Sequence, residues 1–158
     1  MRRIQIVSMM ALIIAVPAAT AGSYFSSSAT KPCFITGSNG YELSGSKSAN
    51  HVVRIDNAAA HPSFRIQVVD DAANADFVLV DDADSATTCK SASSVESIRI
   101  DPEAAHPEFT VALSREPADY RIFVRSTNYS EQDAAALFAV IWQKAEATGS
   151  LRSFAKSD

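Results

Sequence analysis

The sequence predicts an α+β fold: a mainly antiparallel sheet made of two internally repeated β units and covered by one C-terminal helix. A recurrence is the first reason. Arg54 to Phe64 (RIDNAAAHPSF) returns 45 positions later as Arg99 to Phe109 (RIDPEAAHPEF), with 8 of 11 residues identical. Each copy is followed by an apolar run, an Ala-Asp-aromatic step (Ala75-Asp76-Phe77, then Ala118-Asp119-Tyr120) and a second apolar run, so the recurring unit is a supersecondary structure. Two copies are too few for a solenoid, which points to a compact domain with pseudo-symmetry. The second reason is the link Arg115 to Ala118 between two strand-like runs. A parallel crossover ordinarily takes about a dozen residues or more, so a link this short implies a hairpin. The third is a single long amphipathic stretch near the end of the chain.

In chain order, Pro32 to Thr36 and Tyr41 to Leu43 read as strands joined by the turn Gly37-Ser38-Asn39-Gly40. The first repeat supplies strands at His51 to Ile55, Phe64 to Val69 and Phe77 to Val80. In Phe64-Arg65-Ile66-Gln67-Val68 the apolar residues alternate with polar ones, which buries one face. Phe77-Val78-Leu79-Val80 is apolar on both faces and reads as a central strand. The second repeat supplies Ile98 to Ile100, Phe109 to Leu113 and Tyr120 to Val124. By analogy with the second copy, Asp70 to Ala75 is expected to be a hairpin turn. Ser130 is placed to cap the final helix, Glu131 and Asp133 load its first turn with negative charge, and Gly149 suits the left-handed position that ends it. Ala134, Leu137, Phe138, Val140, Ile141, Trp142 and Ala145 form a wide apolar stripe, leaving Gln143, Lys144 and Glu146 for solvent.

The first residues read as an export signal: Arg2 and Arg3, an apolar run from Ile4 to Val16, and Ala19-Thr20-Ala21 for cleavage after Ala21. The expected organisation is a signal peptide over 1–21, a disordered leader over 22–31, one globular domain over 32–149 with repeats at 51–82 and 96–126, and a flexible tail over 150–158. The signal carries two arginines and no acid, so its removal takes the formal charge from −4 to −6. An acidic domain without a basic patch is poorly suited to nucleic acid, and no later segment is apolar enough to span a membrane. Cys33 and Cys89 are the only cysteines, and in an exported chain they read as a structural disulfide. The expected location is the periplasm or the extracellular space.

No catalytic motif stands out. There is no Gly-x-Ser-x-Gly, no His-Glu-x-x-His and no phosphate-binding glycine loop. The expectation is therefore an exported binding or structural domain whose partner is a protein or envelope macromolecule, with no cofactor. One alternative is a divalent-metal site: His61 and His106 occupy equivalent positions in the two copies and, with Asp56 or Asp101, offer ligands suited to zinc or copper. Against this, Asp56 and Asp101 also read as caps of backbone amides, and the proline after each histidine makes the imidazole a turn residue. Asp81, Asp82 and Asp84, with Arg121 and Arg125 alternating among apolar residues of the last strand, are the candidate interaction surface. A small hydrolase using two distant carboxylates is the remaining alternative.

Overall fold

The computed structural model describes residues 33–81 and 89–149. The expected signal peptide, leader and tail, and Asp82 and Asp84, lie outside the described residues. Eight strands run in the order β1 (Phe34–Thr36), β2 (Asn39–Leu43), β3 (His51–Ile55), β4 (Phe64–Val68), β5 (Phe77–Asp81), β6 (Ser94–Ile100), β7 (Phe109–Ser114) and β8 (Tyr120–Ser126), and are followed by helix α1 (Glu131–Ala147). Short 3-10 helices at Ala72–Asn74 and Cys89–Ser91 complete the described chain.

The sheet is mixed and mostly parallel, which corrects the antiparallel expectation. Its spatial order is β1-β2-β6-β3-β7-β4-β8-β5, and among the described residues only β1 and β2 pair antiparallel. The two similar stretches do not form separate three-stranded units. Their strands alternate, each strand from one copy lying beside strands from the other.

The register explains how such short links join parallel strands. Ile55, the last residue of β3, and Phe64, the first of β4, both lie opposite Val111 of the intervening β7. The chain therefore does not return to the level at which β3 began. It steps sideways over one strand and continues in the same direction. Every crossing works this way: Ile98 is flanked by Leu43 and His51, Val53 by Ile100 and Phe109, Ile66 by Leu113 and Tyr120, and Ile122 by Val68 and Phe77. Neighbouring strands lie about 4.8 Å apart, so a sideways step over one strand covers roughly 10 Å, within reach of the five residues 115–119. The usual length requirement for parallel crossovers assumes a return along the strand, and here there is none.

Each step is fastened by hydrogen bonds. The residues leaving a strand, Ser44, Asp101, Asp56 and Val69, donate their amides to the carbonyls of Ile98, Val53, Val111 and Ile122 at 2.8–2.9 Å. Before the next strand begins, Glu108, Ser63 and Asp76 donate to the carbonyls of Val52, Thr110 and Arg121 at 2.7–2.8 Å. Asp76 and Ser63 also accept from the crossed strand, through Arg121 N to Asp76 Oδ2 (2.8 Å) and Thr110 N to Ser63 Oγ (3.1 Å). Asn57 within a crossing accepts from Leu113 N at 2.9 Å.

The five residues that are stepped over, Ile98, Val53, Val111, Ile66 and Ile122, are fully buried (0 % exposed) beneath α1. Beside them stand the aromatic residues that open the incoming strands. Phe64, Phe77 and Tyr120 surround Phe138 of α1 with ring centroids 5.9, 5.8 and 5.1 Å away, and Phe109 meets Phe64 at 5.7 Å. The helix is anchored as its sequence predicts. Ser130 and Asp133 form a capping box (Ser130 N to Asp133 Oδ2 2.7 Å; Asp133 N to Ser130 Oγ 3.2 Å), and Gly149 takes φ +69°.

Cumulative stagger curls the sheet, as shear does in a barrel. The outermost strands approach each other: Phe34 of β1 and Phe77 of β5 have ring centroids 5.9 Å apart. Two further expectations change. Phe77–Asp81 is an edge strand and not a central one, and Val78 and Val80, on the face away from α1, are 44 % and 42 % exposed. The 70–75 segment is a crossing with a 3-10 turn capped by Asp71, not a hairpin.

The Cys33–Cys89 disulfide is present, with Cα atoms 5.2 Å apart, and ties the start of β1 to the 3-10 turn before β6. Gly40 of β2 lies against it: a Cβ there would stand 2.8 Å from Cys89 Sγ, 2.9 Å from Ala92 Cβ and 3.1 Å from Cys33 Sγ.

Two stability predictions follow from this packing. Ile66→Ala and Ile122→Ala each cost about 2–5 kcal/mol in urea unfolding, against no more than about 0.5 kcal/mol for Val80→Ala. Gly40→Ala costs about 1–3 kcal/mol. That cost shrinks in a Cys33→Ala, Cys89→Ala background, which a double-mutant cycle measures.

Candidate functional site

The best-formed ionic cluster lies where the row of strand-opening aromatics ends. At the step over β6, the position beside the buried Ile98 is taken by His51 rather than Phe or Tyr. His51 Nδ1 lies 2.7 Å from Glu108 Oε2, and its Nε2 lies 2.9 Å from Glu96 Oε2. The second oxygen of Glu96 accepts from Lys144 Nζ on the last turns of α1. The Lys144 ammonium also stands 6.0 Å from the centroid of the Tyr41 ring. An open cleft of about 420 Å³ lies beside the cluster, lined by Asn50, His51, Glu96, Val140, Gln143, Lys144 and Ala147.

Local structure sets each member in place. Glu96 and Ile98 are two apart on β6 and share the face that meets α1. Asn50 fixes the entry to β3: its amide donates to Ser97 Oγ (3.0 Å), and its Oδ1 accepts from Ser97 N (2.9 Å). Glu108 arrives at the end of the 101–108 crossing, where its amide is bonded to Val52.

Burial acts to raise the Glu96 pKa, but hydrogen bonds from Lys144 and His51, with their charges, outweigh it and hold the carboxyl below its usual value. The hydrogen bond to Glu96 pushes the Lys144 ammonium upward in turn. Burial raises the Tyr41 hydroxyl, and burial raises that of Tyr129 far more. Chemically, the cluster is closed on itself. Both ring nitrogens of His51 and both oxygens of Glu96 are engaged with partners inside it, and carboxylates only accept. This is a device for pinning the end of α1 to the sheet, with an open cleft beside it. Lys144, expected to face solvent, is one of its members.

The predicted metal ligands lie elsewhere, in the crossings between strands. His61 is in the crossing over β7 and His106 in the crossing over β3, both exposed. Asp56 Oδ1 accepts from Ala58 N and Asp101 Oδ1 from Glu103 N, both at 3.0 Å, so each aspartate caps its own turn as read from sequence. These are β-turns, closed by Ala59 N to Asp56 O and Ala104 N to Asp101 O. Asp56 and Asp101 also pair with Arg54 and Arg99. Among the described residues, no three of His, Cys, Asp and Glu stand together as a metal site.

The predicted interaction surface is partly structural. Arg121 pairs with Asp76 (3.1 Å) and so holds the 69–76 crossing. Asp81 accepts from Ser126 Oγ (3.2 Å) and Asn128 Nδ2 (2.5 Å) after β8. Arg125 is exposed on the outer face of β8. Related ties run from Arg54 to the Ala104 carbonyl (3.3 Å) and from Arg65 to the Ala60 carbonyl (3.1 Å). Among the described residues, no helix is long and apolar enough to cross a membrane.

A signal for the His51 cluster existed in the sequence. Asn50-His51, Ser63-Phe64, Asp76-Phe77, Glu108-Phe109 and Asp119-Tyr120 all pair an oxygen-bearing side chain with a ring that opens a strand. His51 is the polar exception in that series. Compared with known proteins, the chain matches no family model and no curated protein.

A carboxyl whose pKa is depressed in the folded state stabilises the fold above its unfolded value, and the contribution is lost as pH falls through the folded value. Glu96→Gln is therefore expected to cost about 1 kcal/mol near neutral pH. The difference from wild type should fade as pH drops below the ordinary glutamate value of 4.5, as followed by urea unfolding across pH.

Proposed function

We propose that this protein is an exported domain of the periplasm or extracellular space that holds a macromolecular partner and performs no catalysis. The observation that carries the reading is the Cys33–Cys89 cystine. It closes a sequence separation of 56 residues at the β1 end of the sheet, and structural bridges of this kind persist in oxidising compartments. By loop-closure entropy alone it stabilises the fold by about 4 kcal/mol. The export signal read in the sequence points the same way. In support of binding over catalysis, the densest group of ionisable side chains engages His51 and Glu96 internally and leaves neither as an obvious base for a substrate.

The test combines compartment and capture. A tagged full-length chain is expected to fractionate outside the cytoplasm with no titratable thiol, and cross-linking there should return one reproducible partner. Recovery in the cytoplasm with two free thiols, or capture that never repeats, would overturn the proposal.

A further inference from the structure

β5 is a mismatch between composition and position. Its sequence, Phe77-Val78-Leu79-Val80, is that of a strand covered on both faces and flanked on both sides, yet it sits at the end of the sheet. Val78 and Val80 are two of the most exposed large apolar side chains, and Phe123 of β8 lies beside Val78 in register. Natural edge strands are usually blunted by lysine, proline, a bulge or extreme shortness. β5 has no lysine or proline, pairs with β8 in unbroken register over Phe77–Asp81, and among the described residues no strand pairs with its outer side.

That outer side faces a groove of about 240 Å³ whose opposite wall is β1, with Phe34, Ile35, Leu79, Val80 and Tyr129 along it. The groove has a strand on either side because the curl brings the two ends of the sheet toward each other. The shape selects its occupant. A second copy of the domain, pairing β5 to β5, would carry its own sheet into a gap walled by β1. A single extended segment brings only one strand into that gap and draws its affinity from main-chain hydrogen bonds and alternate side chains.

We propose that the outer edge of β5, across the groove from β1, accepts one extended segment of a partner polypeptide with apolar residues at alternate positions. This rests on the binding function proposed above and specifies how the partner is held. The added segment continues the sheet past β5, and its apolar residues cover Val78 and Val80.

The test uses the oxidised full-length chain and a displayed random dodecapeptide library. Selected peptides are expected to share alternating apolar residues, to slow amide exchange in β5, and to bind at least tenfold more weakly to Val78→Lys and Val80→Lys. Urea unfolding confirms that these variants are folded, and exchange on the wild-type chain maps the site without any variant. No enrichment, peptides that protect another region, or undiminished affinity in both variants would sink the proposal. A wild-type dimer in sedimentation that Val80→Lys dissociates would identify a second copy as the occupant and also overturn it. If wild-type and Val80→Lys chains capture the same partner from the compartment, the binding function stands and the β5 edge is removed from it.

Discussion

One register rule organises this molecule: β3, β4, β5, β7 and β8 each begin at the level where the preceding strand ended, on the far side of a single strand from the other half of the chain. Parallel pairing, short connections and alternation of the two similar stretches all follow from it. A chain that need not travel back along its strand can step over a neighbour with few residues, so no crossover helix is needed. Helix α1 is left to fill the concave face. Repeated sideways offset is also shear, and shear curls the sheet until Phe34 and Phe77 meet from opposite ends.

The rule makes particular demands on side chains. The residue stepped over is enclosed by two strand ends and a helix, which is why Ile98, Val53, Val111, Ile66 and Ile122 are aliphatic and wholly buried. The incoming strand opens with a ring large enough to reach α1. The residue before that ring carries an oxygen, and at Ser63 and Asp76 that oxygen bonds the crossed strand. On the outer face, arginines tie the crossings down: Arg54 reaches the Ala104 carbonyl, Arg65 the Ala60 carbonyl and Arg121 the Asp76 carboxylate. Arg121, a candidate for recognition, is thus also a structural tie.

The two ends of the pattern are where it runs out, and these are the places with unusual chemistry. At the β2 end, the ring position is filled by His51, and carboxylates with a lysine gather around it where the core meets water. There the cystine replaces packing that a three-residue edge strand cannot supply. At the β5 end, the chain turns into α1 instead of taking another step, leaving a two-faced apolar strand with one side unpaired among the described residues. The proposed binding function places recognition at that interruption and stability in the rest.

Much of the local structure was legible from residue order alone. Strand positions followed from alternation and apolar runs, the helix from its stripe and its Ser130 and Gly149 boundaries, and the cystine from cysteine count. The turn-capping roles of Asp56 and Asp101 could also be read, because an aspartate bonding an amide two residues ahead is a local event. Direction and neighbourhood were not local. Whether the chain leaving Leu113 folds back or steps across depends on what lies beside it, and that neighbour, β4, is contributed by residues some 47 positions earlier. The His51 cluster assembles from β3, β6, a crossing and α1, so no spacing along the chain announces it. Sequence determined which segments are strands and helix and where each turns, since those depend on a residue and its near neighbours. Tertiary structure decided that the strands run parallel, interlace and end in an exposed β5, since pairing and register are fixed by segments that meet only after folding.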